Sequence, residues 1–123
     1  MGGLAQLAVQ KGFEVAGCDE NAYPPMSNVL AEQGIKVDQG FSTRNIADDI
    51  DLFVIGNVVS RGNPMMEEIL KRRLKFVSGP QFLTESILED RHVIAVSGTH
   101  GKTSTSSMLA KVLIDAGLDI GYM

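Results

Sequence analysis

The stretch Val93-Ile94-Ala95-Val96-Ser97-Gly98-Thr99-His100-Gly101-Lys102-Thr103 constrains this chain most, because an apolar run leads directly into glycines, one lysine and hydroxyl side chains. That order predicts a strand turning sharply into a helix, with backbone N–H groups at the turn free to meet an anion. The strict pattern G-x-x-x-x-G-K-[ST] is not met, since Val96 stands where its first glycine belongs, but Gly101-Lys102-Thr103 fits and Gly98 supplies the flexibility. The expectation is a phosphate-binding loop for ATP or a closely related nucleoside triphosphate. Gly98, Thr99, His100 and Gly101 would surround the phosphates, with Ser104 in the helical turn that follows. Lys102, the candidate catalytic residue, would reach the outer phosphates, and Thr103 would offer its hydroxyl to Mg2+. The competing reading is a plain strand-to-helix turn with Lys102 in water. His100 either contacts nucleotide or faces solvent, and His92, on the turn before the strand, reads as structural or exposed.

Elsewhere, short Val-, Ile- and Phe-rich runs alternate with helix-length amphipathic stretches, which predicts an α/β fold with a mostly parallel sheet and helices on both faces. Leu4, Leu7 and Ala8 share one helical face before Gly12, and Phe13 to Gly17 reads as a buried strand ending at Cys18-Asp19. Tyr23-Pro24-Pro25 breaks the chain. Met26, Leu30 and Gln33 follow at helical spacing up to Gly34, and Ile35-Lys36-Val37 alternates as a short strand. Leu52-Phe53-Val54-Ile55 is the clearest buried strand. Asn63 reads as an N-cap and Pro64 as the first helical residue, with acids early and Lys71-Arg72-Arg73 late, as the helix dipole prefers. Phe76-Val77 makes another strand, Pro80 to Leu88 a helix, and Val93 to Val96 the strand before the loop. Met108, Leu109, Val112, Leu113 and Ala116 form the apolar stripe of the last helix.

The charged turn Glu89-Asp90-Arg91-His92 divides the chain into residues 1–90 and 91–123. The second unit holds one strand, the loop and one helix, too little to bury a core of its own, so the chain is expected to be part of something longer. Its apolar stripe would then dock elsewhere, self-association included.

A formal net charge of -4, without any long Lys/Arg run, excludes a nucleic-acid partner bound by neutralising many phosphates. No apolar run approaches the roughly 18 residues of a membrane helix, and a single cysteine, Cys18, forms no internal disulfide. The expectation is a cytoplasmic protein with no membrane partner. Cys18 reads as a small buried hydrophobe. Met1-Gly2 does not start a myristoylation signal, because Gln6 stands where Ser or Thr is needed.

Weaker signals lie nearer the N-terminus. Gly2 and Gly3 stand at a helix start and Asp19 at a strand end, which matches part of the dinucleotide-binding pattern in which an acid meets a ribose hydroxyl. No strand precedes Gly2, so Asp19 reads equally as a solvated strand end. Asn57 and Arg61 follow another strand, on the edge where open α/β sheets bind ligands; capping already accounts for Asn63, which leaves Arg61 free to meet an anion.

Taken together, the loop Val96 to Thr103, with His100 in it, resembles the ATP loop of the Mur ligases of bacterial cell-wall synthesis. The segments Asp19 to Ser27, Gly56-Asn57, Arg61 to Pro64 and Ser78-Gly79-Pro80-Gln81-Phe82-Leu83 resemble the branch that uses a murein tripeptide. The branch that adds L-alanine typically has an Arg-Ala-Glu run in place of Ser78-Gly79-Pro80. The resemblance implies a Rossmann-like UDP-binding domain over residues 1–90, lacking its first strand, and the start of a second α/β domain, the central ATPase domain, over 91–123. It implies ATP and Mg2+ as cofactors, and UDP-N-acetylmuramate and L-alanyl-γ-D-glutamyl-meso-diaminopimelate as substrates joined through an acyl phosphate. By position, Gly2, Gly3 and Asp19 would lie near the UDP moiety and Asn57 and Arg61 near the sugar or diphosphate. The remaining catalytic groups of the family have no counterpart in this chain, which is expected to be inactive alone. An L-alanine ligase and a nucleotide-binding module without chemistry remain the alternatives.

Overall fold

The computed structural model describes residues 1–121, and the chain divides into two compact units, Met1–Asp90 and the residues from Arg91 onward. Positions 122 and 123, the end of the expected second unit, lie outside the described residues.

The first unit opens with helix α1 (Gly2–Gln10) and strand β1 (Ala16–Asp19), then α2 (Met26–Glu32) and β2 (Lys36–Gln39). After a 3-10 turn at Thr43–Asn45 come β3 (Phe53–Ile55), α3 (Pro64–Lys71) and β4 (Phe76–Ser78). The unit closes with a short helix α4 (Gly79–Phe82) that runs into a π-helical turn, Leu83–Ile87. Pro80 to Leu88 is therefore helical in outline as expected, but its second half widens to a π register, marked by the Leu88 N–H donating to the Leu83 carbonyl at 3.0 Å.

β1 and β2 pair in parallel from Ala16 opposite Lys36 to Asp19 opposite Gln39, with α2 as the crossover. β3 and β4 pair in parallel from Phe53 opposite Phe76 to Ile55 opposite Ser78, with α3 as the crossover. The α/β class holds, but the single sheet expected from the sequence is corrected to two separate two-stranded sheets. A backbone ladder needs an adjacent strand. Among the described residues β1 pairs only with β2 and β3 only with β4, so each of the four strands has one bare edge.

Helix ends follow local chemistry. Past α1, the Gly12 N–H donates to Val9 O and the Phe13 N–H to Ala8 O, with Gly12 at φ +92°, which is the Schellman arrangement. Phe13 is thereby tied to the helix end, so the expected strand at Phe13 begins only at Ala16; the Phe13 ring instead meets Phe82 edge-on at 5.8 Å. The same closure ends α2 at Gly34 and Ile35. It also ends α3, where the left-handed position is held by Arg73 (φ +54°), the one non-glycine with positive φ among the described residues. Asn63 caps α3 as expected, its Oδ1 accepting from the N–H groups of Met65 and Met66 at 3.1 Å each.

Alternation along β3 divides the core. Val54 packs toward a cluster of Leu4, Ala8, Phe82 and Ile87, whereas Phe53 and Ile55 join Ile46 and Ile69 beneath α3. Helices thus cover both faces of the β3–β4 sheet. Ile69 is the most buried large side chain at 1% exposure, a burial that contributes about 1.5–3 kcal/mol.

In the second unit, helix α5 spans Lys102–Asp115. The strand expected at Val93 to Val96 is not formed: these residues pair with nothing among the described residues, and Val93 and Ile94 are about half exposed. β-propensity fits a residue to a sheet but does not supply the neighbour. The expected stripe on α5 is divided, with Leu109 and Leu113 half-buried, and Met108 and Val112 each 63% exposed.

Candidate functional site

The glycine loop ends at Gly101, which adopts a left-handed conformation (φ 77°, ψ 5°) as the residue before α5. A side chain there would be strained, and the turn lets the chain enter the helix at Lys102 without a side-chain cap. The first N–H groups of a helix lack intrahelical partners. On α5 no side chain caps them and no acid sits in the first turn, so the positive end of the helix dipole faces the loop uncompensated.

Lys102 folds back across the loop, its Nζ donating to Gly98 O at 2.8 Å and, more weakly, to Thr99 O at 3.4 Å. His100 Nδ1 lies 3.2 Å from Thr99 Oγ1. Gly98, Thr99, His100, Gly101, Lys102, Thr103 and Ser104 are all exposed, and the Thr103 and Ser104 hydroxyls make no hydrogen bond among the described residues. The donor set suits a polyphosphate. It comprises a cation, a row of N–H groups at a helix start, and the Thr103 and Ser104 hydroxyls in the first helical turn. No cluster of three or more His, Cys, Asp or Glu side chains suited to a metal ion exists among the described residues. A divalent ion held here by the Thr103 hydroxyl would take its remaining ligands from phosphate oxygens and water.

In the first unit, the start of α1 meets the carboxyl ends of β3 and β4. A Cβ placed on Gly56 would lie 3.2 Å from Met1 Cγ, and one on Gly79 would lie 3.3 Å from Met1 Sδ. Gly2 is similarly closed off, since a Cβ there would stand 2.5 Å from Met26 Sδ. The structure therefore sets Met1, just ahead of Gly2 and Gly3, against Gly56 and Gly79, and gives Gly2 a packing role beside α2. Asp19 ends β1, and its Oδ1 accepts from the Asn21 N–H at 2.8 Å, while Asn21 Oδ1 accepts from the Tyr23 hydroxyl at 3.0 Å. One carboxylate oxygen thus organises the turn after β1. Beside that turn an open depression of about 360 Å³ is lined by Tyr23, Ser27, Ile35 and Gln39 among others.

Arg61 lies in the exposed loop between β3 and α3 and takes part in no ion pair among the described residues. Val58 in the same loop is 90% exposed. Reading the sequence missed Glu67, whose Oε1 accepts from the Gly62 N–H at 3.1 Å across the mouth of this loop. Its only sequence signal was an acid in the first turn of α3, which the dipole alone accounts for. Cys18 is half-buried and accepts from Asn45 Nδ2 at 3.3 Å, so it is a core-edge residue.

Parallel βαβ pairs, joined in sequence to a lysine-bearing glycine loop at a helix start, form an arrangement characteristic of the α/β nucleotide-binding class. The chain belongs to the Mur ligase family: the pattern described as "Mur ligase family, catalytic domain" matches residues 1–91. It is 47% identical over 123 residues to the UDP-N-acetylmuramate–L-alanyl-gamma-D-glutamyl-meso-2,6-diaminoheptandioate ligase of Haemophilus influenzae, covering 100% of this chain and 27% of that protein. A UDP-N-acetylmuramate–L-alanine ligase of Clostridium kluyveri is 38% identical over 122 residues, covering 97% and 26%. Among solved structures, the diaminopimelate-tripeptide ligase of Neisseria meningitides superposes with a TM-score of 0.91 at 51% identity, over 96% of this chain and 37% of that one. A murein peptide ligase of Psychrobacter arcticus gives 0.92 at 48%, over 97% and 25%. The chain spans about a quarter of the length of the curated relatives it matches.

Proposed function

We propose that this chain forms the nucleotide-binding beginning of an ATP-dependent ligase. The intact enzyme joins L-alanyl-γ-D-glutamyl-meso-diaminopimelate to UDP-N-acetylmuramate in cytoplasmic peptidoglycan recycling. The observation that carries the reading is the loop at α5, where Lys102 crosses the loop carbonyls and the helix start is left without a cap. The identities of 47–51% to tripeptide ligases, against 38% to an L-alanine ligase, support the tripeptide as the acceptor. Residues 1–90 are the UDP-sugar unit in this reading, and the residues from Arg91 onward begin the ATP unit.

The chemistry is an acyl activation. The lactyl carboxylate attacks the γ-phosphorus of ATP and ADP leaves. The tripeptide amine then attacks the acyl carbon, phosphate leaves with the bonding pair, and the amine loses a proton. Lys102 exchanges its loop carbonyls for phosphate oxygens, where its charge offsets the charge that builds during transfer. The N–H groups at the start of α5, with Gly98 and Gly101 granting close approach, hold the β-phosphate region, and Thr99, His100 and Ser104 line it. Mg2+, which Thr103 would hold, supplies further charge neutralisation. Gly2, Gly3 and Asp19 face the UDP moiety, and Asn57 and Arg61 the sugar or diphosphate.

The test is a coupled assay of ADP release with UDP-N-acetylmuramate and tripeptide, run beside calorimetry with Mg-ATP and with UDP. The chain alone is expected to bind nucleotide and to release no ADP. Turnover by the chain alone would overturn its assignment as a part, and failure to bind either nucleotide would overturn the site.

A further inference from the structure

We propose that Glu67 is a positioning residue for the loop that carries Arg61. This rests on the reading of Arg61 as a contact for the anionic part of a nucleoside diphosphate sugar.

The loop leaves β3 at Gly56, turns where the Val59 N–H donates to Gly56 O at 3.1 Å, and passes through Gly62, whose φ of +86° turns the backbone sharply. Two side chains of α3 then grip its end. Asn63 accepts from the helix start at Met65 and Met66, which fixes where the helix begins, and Glu67 reaches back to accept from the Gly62 N–H. Without that acceptor the amide next to Arg61 would have no protein partner among the described residues. The carboxylate is in none of the ion pairs found there, so its one observed role is the loop.

The consequence concerns Arg61, one residue before the tethered amide. Its guanidinium is exposed and in no ion pair among the described residues, and a long side chain on an untethered loop would lose conformational freedom on meeting an anion. Anchoring the backbone at Gly62 removes part of that cost in advance. A second explanation, that Glu67 merely complements the α3 dipole, differs in what it requires. The dipole needs the charge, whereas the tether needs only an acceptor oxygen in place. Glu67→Gln keeps the oxygen and drops the charge.

Trypsin cleavage after Arg61 in the 123-residue chain reads the loop directly, with cleavage after Lys71 within α3 as the internal reference. Glu67→Ala is expected to speed cleavage after Arg61 by at least about threefold relative to the reference, and Glu67→Gln to restore the wild-type ratio. Equal acceleration in both variants, or in neither, would overturn the positioning role. Calorimetry with UDP separates this from the parent reading, since Arg61→Ala should weaken UDP by about tenfold. If Arg61→Ala leaves UDP binding unchanged while Glu67→Ala frees the loop, the tether stands and the assignment of Arg61 to the anion falls.

Discussion

Lys102 shows how much one side chain decides. Its ammonium is held by Gly98 O and Thr99 O, so it braces the loop with the same charge it would offer to phosphate. Replacing it with methionine keeps the length and removes both functions. Lys102→Met is expected to weaken Mg-ATP by roughly ten- to a hundredfold, the range for losing a charge-assisted bond, measured by calorimetry. An affinity equal to wild type would show the lysine to be solvated and the loop an ordinary turn. The turn at Gly101 and the helix that begins at Lys102 were legible in the sequence because a glycine followed by a helix-forming run is a local pattern. The Glu67–Gly62 bond was not, because nothing in the pattern distinguishes a carboxylate that serves a helix dipole from one that turns back to a loop.

At the scale of elements, helix ends were read most securely. A Schellman closure is written in a few consecutive residues, and Gly12 and Gly34 each mark one. Arg73 is the exception that sequence could not flag, since it occupies the same left-handed position at the end of α3 without being glycine. That conformation costs an ordinary residue roughly 1–2 kcal/mol, partly offset by the greater unfolded freedom of glycine. Arg73→Gly is therefore expected to stabilise the first unit by about 1 kcal/mol in urea unfolding. A destabilised variant would mean that the Arg73 side chain contributes contacts outweighing the backbone strain. Strands were read less well than helices. Phe13 to Val15 fell out of β1 because the closure of α1 claims the Phe13 N–H, and Val93 to Val96 remained single because no strand among the described residues pairs with them.

For the molecule as a whole, each of the four paired strands keeps one unpaired edge among the described residues. β1 and β3 each present unpaired backbone, and α1 packs with its Leu4 and Ala8 in the cluster that both Val15 and Val54 join. A strand between them would pair both edges. Extending the chain at its N-terminus with such a strand is expected to raise the urea midpoint of the first unit and to protect the β1 and β3 amides from exchange. Unchanged protection would show that the added strand pairs with neither edge. By itself the sequence determined the α/β class, the helix ends marked by Gly12, Gly34 and Asn63, and the turn of the glycine loop into α5, because capping, glycine dihedrals and periodicity are properties of residues close together in the chain. Only the tertiary structure decided that the strands pair by twos, that Val93 to Val96 stay unpaired, and that Glu67 ties down the loop of Arg61. Each of those depends on which distant backbone group lies within bonding reach, and no local pattern carries that distance.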